Sequence, residues 1–94
     1  MHAVFVEVNA DESQADQGRE AIKHGALPRA RDAGARAGFW LQAQGGRGVA
    51  VVIFDSEDAA KRAAEPLKVG EEPPGAPVGV TFRTVEVREV LASL

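Results

Sequence analysis

The chain has 94 residues, a formal charge of −3 and no cysteine, which excludes disulfide staples and thiolate chemistry and fits a reducing, cytoplasmic setting. Its acidic and basic residues are interspersed, with no basic stripe to meet a phosphate backbone, so nucleic acid is not an expected partner. A single domain of this size buries only about 60–65% of its extended surface, and much of its apolar supply is alanine and valine, so a partner subunit is the available way to bury more.

The opening MHAVFVEV carries no basic residue ahead of a short apolar run that reaches Glu7. It therefore reads as neither a signal peptide nor a membrane span. Ala3 to Asn9 reads as a first strand, dense in valine and phenylalanine. Asp11 or Ser13 is the expected cap of a helix through QADQGREAIK, with Ala15, Ile22 and Ala26 on its apolar side. Pro28 is expected to kink this helix or start a further turn, and Gly34 to end it.

Residues 36–44 (RAGFWLQAQ) predict a second strand, with Phe39, Leu41 and Ala43 on one side and Trp40, Gln42 and Gln44 on the other. Gly45-Gly46 signals a two-residue hairpin, since a type I′ turn needs positive φ at both positions. Arg47 to Phe54 follows as the third strand. Its segment GVAVVIF is apolar on both faces: Val49, Val51 and Ile53 on one, Ala50, Val52 and Phe54 on the other. Asp55 or Ser56 then caps a helix whose Ala60, Ala63 and Ala64 share a face with Leu67. The segment 70–79 (GEEPPGAPVG) is a loop. Val80 to about Leu91 is the last strand, with Val85 and Val87 on one side and Thr84, Glu86 and Arg88 on the other, beside Phe82.

The order β-α-β-β-α-β implies a ferredoxin-like α+β domain, with right-handed crossovers setting both helices on one face of a four-stranded antiparallel sheet. The first and third strands form the central pair and the fourth lies beside the first. One apolar row of the third strand is then left without helices over it. A second copy is the expected cover, the two-fold arrangement being self-complementary; the other expectation is a monomer in which the 70–79 loop folds back over the sheet.

If Phe5, Glu7, Asn9, Trp40, Gln42, Glu86 and Arg88 face that open side, they line a part-polar pocket of the kind that takes small molecules. Each has a plainer role. Glu7 suits a rim position or a pair with Arg88, Asn9 a turn, Trp40 the core or a dimer contact, and Glu86 with Arg88 a surface pair. His24, late on the first helix, is a candidate acid–base group or a surface residue, and His2 a frayed end or strand edge. Ser13, Ser56 and Ser93 occupy cap or terminal positions. The glycines at 45, 46 and 48 are followed by no helix, and no His-x-x-x-His is present. Neither a metal, a dinucleotide nor another tightly held cofactor is expected.

The segments MHAVFVEVN, IKHGALP, FWLQAQGGRGVAVVIFDSEDAAKRAA and TFRTVEVREV resemble the dimeric α/β-barrel superfamily, within it the antibiotic-biosynthesis-monooxygenase-like small proteins. The resemblance spans nearly the whole chain and consists mostly of apolar spacing. It implies two ferredoxin-like protomers packed sheet on sheet, with members that include cofactor-independent oxygenases of quinols and polyketides, haem-degrading enzymes and isomerases. Asn9 resembles the asparagine that active members carry at the end of the first strand. Two departures stand out: the tryptophan such oxygenases carry on the third strand is here Trp40 on the second, and the second-helix histidine of haem degraders is absent from SEDAAKRAAEPL. The implied activity is oxygenation of a small aromatic substrate without a cofactor. Asn9, His24 and Arg88 would stabilise developing charge, and Phe5, Glu7, Trp40, Gln42 and Glu86 would line the pocket. The alternative is a non-catalytic homodimer that binds a small molecule or serves as a structural module.

Overall fold

A computed structural model describes residues 1–94. Strands β1 (His2–Asn9), β2 (Ala37–Gln44), β3 (Arg47–Phe54) and β4 (Thr81–Glu89) form one antiparallel sheet in the order β2-β3-β1-β4. With the helices between them, the fold is ferredoxin-like α+β, as the element order implies.

The first crossover is one helical segment made of four pieces: a 3-10 turn (Glu12–Gln14), α1 (Ala15–Ala21), a π-helical turn (Ile22–Ala26) and α2 (Leu27–Asp32). Asp11 is its cap, accepting the Ser13 backbone N–H at 2.9 Å. Pro28 explains the π turn. It has no N–H to give the His24 carbonyl and its ring would collide with that carbonyl, so the preceding backbone widens and the Leu27 N–H reaches Ile22 instead. The helix is not broken at Pro28 but continues to Asp32, and Gly34 leaves it at φ 92°. The second crossover carries α3 (Glu57–Ala64). Ser56, not Asp55, caps it by accepting the Ala59 N–H at 3.1 Å; Asp55 pairs instead with Arg36 at 2.9 Å.

The core lies between the sheet and α3. Val4 and Val6 of β1, Ala50, Val52 and Phe54 of β3, Phe82 of β4 and Ala60 of α3 form one buried cluster. Ala60 has no exposed surface, because the alanine face of α3 lets helix and sheet come close. Only ten of the 94 residues are buried, and none of them lies in the segment 12–32. A core this thin is what the alanine- and valine-rich composition predicts.

The turn at Gly45 and Gly46 has φ 63° and 78°, the positive pair a type I′ hairpin requires. Beyond it, two residues of β2 (Gln42 and Ala43) oppose Gly48 alone, so the register shifts by one between Gln44↔Arg47 and Leu41↔Val49. A second shift occurs where β4 runs past β1, between Glu7↔Thr84 and Val8↔Phe82, with Arg83 as the extra residue. Each slip exchanges the faces of the residues beyond it. Trp40 therefore stands opposite Ala50 on the helix side and packs against the core, not on the open side. Phe82 is buried on the helix side with Val85 and Val87, not beside Glu86 and Arg88.

The loop 70–79 does not fold over the open side. Gly70 and Glu71 bond to the backbone of Phe82, the Val78 carbonyl accepts from the Gln14 side chain at 3.3 Å, and Pro74 lies near Gly25. The loop runs along β4 and the first helical segment. No helix is long and apolar enough to cross a membrane.

Candidate functional site

Cross-strand register arranges the helix-free face into three rows: Ala37, Ile53, Ala3, Arg88; Phe39, Val51, Phe5, Glu86; and Leu41, Val49, Glu7, Thr84. Positions on β2 and β3 are all apolar, β1 adds Ala3 and Phe5, and β4 is wholly polar. Phe39 is 61% exposed and Leu41 58% exposed. With strands about 4.8 Å apart and residues about 3.4 Å apart, the apolar part projects to about 300 Å².

Phe5, Glu7, Glu86 and Arg88 thus share this face, as expected, and Asn9 follows at the end of β1. Each of their polar groups already has a side-chain partner. Thr84 donates its hydroxyl to Glu7 Oε1 at 2.9 Å, and Arg47 reaches Oε2 at 3.3 Å. Asn9 Nδ2 donates to Thr81 Oγ1 at 3.1 Å. Arg88 pairs with Glu86, its Nε at 2.9 Å from Oε1, and its guanidinium lies 4.6 Å from the centre of the Phe5 ring. Glu7 meets Thr84 and Arg47 rather than Arg88. Neither partner is evident from alternation alone: Thr84 stands directly opposite Glu7 on β4, and Arg47, opposite Asn9 on β3, reaches it diagonally.

The three expected catalytic groups are not brought together in one protomer. Arg88 stands opposite Ala3, six residues along β1 from Asn9, or about 20 Å of extended strand. His24 lies on the π-helical turn and contacts Glu20 at 3.2 Å with its ring 79% exposed. The shallow depression beside it is lined by Asp16, Gln17 and Glu20. Gln42 sits exposed in the β2 bulge. His2 belongs to central strand β1, not to a frayed end or an edge, with Nε2 3.9 Å from Glu57. No three histidine or carboxylate side chains gather as a metal site would need.

Glu7 is the perturbed titratable group of this face. The Thr84 hydrogen bond, chiefly, and the charges of Arg47 and Arg83 hold its carboxyl below the ordinary 4.5, against partial desolvation. A carboxyl lowered in the folded state stabilises above its unfolded value, and that contribution is lost as pH falls through the folded one. Urea denaturation at about pH 6 and about pH 3 is expected to show a larger acid loss for the native chain than for Glu7→Gln. Equal losses would mean that the Thr84 and Arg47 bonds do not persist in solution.

On the opposite side of the sheet, a groove of about 200 Å³ runs between α2 and β2. Trp40 forms part of it. A Cβ on Gly38 would come within 2.9 Å of the indole, so only glycine lets the ring lie back along the strand. No family model matches the chain, and no curated protein or solved structure matches it either.

Proposed function

We propose that the protein is a homodimer closed through its helix-free sheet face, in the manner of the dimeric α/β-barrel proteins it resembles, and that it binds a small molecule without transforming it. One observation carries this reading: the face is largely apolar across three strands, while each polar group on it suited to chemistry is already held by a neighbouring side chain. Eight apolar side chains in three rows make a patch at the lower end of the largest that monomers expose. The face as a whole, four strands by about eight residues, projects to about 500 Å². Two such faces together give about 1,000 Å², the lower bound of a specific interface. Thr84, Glu86 and Arg88, along the β4 edge, suit a polar rim.

Oxygenation of a small aromatic substrate is the second reading, and it is favoured by one feature, Asn9 at the end of β1 on the same face as Phe5 and Arg88. Two measurements decide. Sedimentation equilibrium is expected to give about twice the 9.9 kDa chain mass, and a concentration-independent 9.9 kDa species would overturn the dimer. An oxygen electrode with a panel of hydroquinones is expected to show no protein-dependent uptake. Uptake that falls in Asn9→Ala would replace binding by oxygenation.

A further inference from the structure

We propose that the groove between α2 and β2 is a binding site for a small aromatic carboxylate, with Trp40 as the wall the ring lies against and Arg31 as the carboxylate's partner. This rests on the binding reading above but not on the dimer contact, because the groove opens on the other side of the sheet.

Shape and chemistry point the same way. Leu27, Ala30, Ala35 and Trp40 supply apolar walls, and Arg31 and Arg36 supply the charge. At about 200 Å³ the groove is smaller than a drug-sized pocket, and one aromatic ring with its substituent suits it. Trp40 packs against the core cluster yet remains only half-buried, so its free surface belongs to the groove.

The two arginines differ. Arg36 is already paired with Asp55 at 2.9 Å, whereas Arg31 takes part in none of the chain's ion pairs. In a chain with a net charge of −3, an unpaired guanidinium lining the same groove as an indole is available to an anion. Its planar donor fork matches a carboxylate in two parallel hydrogen bonds, while the ring of the same ligand meets Trp40. A bare inorganic anion would leave the apolar walls unused, and a neutral ring would leave Arg31 unused.

Trp40 is the only tryptophan, so its fluorescence reports on the groove alone. Titration of the full chain with benzoate is expected to give a saturable change. Benzamide, without the charge, and acetate, without the ring, should each require about tenfold higher concentration or more. Arg31 is exposed, so Arg31→Gln should fold normally and lose benzoate affinity by about tenfold, with Arg31→Lys in between. A Leu41→Lys variant, altered only on the helix-free face, should bind as the native chain does. Its binding separates the groove from the dimer: if the native chain proves monomeric and benzoate still saturates, the groove stands alone. Overturning results are no saturable change with benzoate, an undiminished response in Arg31→Gln, or equal binding of acetate.

Discussion

Replacing Leu41 by lysine is expected to turn the protein into a folded monomer. In the single chain Leu41 is 58% exposed and its neighbour Phe39 61% exposed, so neither supports the core, and a charge at position 41 costs the protomer little. In the proposed dimer the same position is covered, and two-fold symmetry brings in two ammonium groups for one substitution. Each must be desolvated or the contact must open. At a tenfold penalty or more for each copy, the dissociation constant should rise by about a hundredfold or more. Sedimentation velocity at micromolar concentration is expected to show the mass halved, with the far-ultraviolet circular dichroism unchanged. Val78→Lys is the matched control: Val78 is 87% exposed but lies in the loop beside the first helical segment, and its substitution should leave the mass as it was. If Leu41→Lys stayed dimeric, the copies would be meeting elsewhere, for example along the unpaired edge of β2.

The sequence is informative about this face up to the point where counting residues stops giving the register. Element order, the Gly45-Gly46 hairpin and the central pairing of β1 with β3 are local or topological consequences of composition and period, and the structure has all of them. The two misplaced aromatics have one cause. An unbroken two-residue hairpin would set Trp40 opposite Val51, on the open side; the extra residue at 42–43 sets it opposite Ala50. The extra residue Arg83 moves Phe82 across in the same way. Neither bulge has a sequence mark such as an inserted glycine, because what selects them is burial: each slip sends a large aromatic ring from water to the core. The candidate site was legible to the same extent. Glu7, Asn9, Glu86 and Arg88 fall on the expected face by alternation, but which of them meet depends on pairings that alternation does not encode.

The same economy makes Phe54→Ala the most damaging single core substitution expected. Phe54 is 1% exposed and is the one large side chain fully enclosed, in a cluster whose other buried members are valines, alanines and Phe82. Phenylalanine-to-alanine changes at such sites cost about 3–5 kcal/mol, against a total of about 5–14 kcal/mol for a domain of this length. The surroundings are poorly suited to relieve that loss. Ala60 is already in contact with no surface to spare, and the segment 12–32 contributes no buried residue that could move in. Urea denaturation at matched protein concentration is therefore expected to show a loss of at least 3 kcal/mol. Matching matters because dissociation is linked to unfolding. Val51→Ala, on the helix-free face of the same strand, supplies the contrast. Its cost should be largest where the dimer is intact and should shrink in the Leu41→Lys background, whereas the cost of Phe54→Ala should be the same in both. A loss below about 1 kcal/mol for Phe54→Ala would mean that the α3–sheet contact is not what holds the fold.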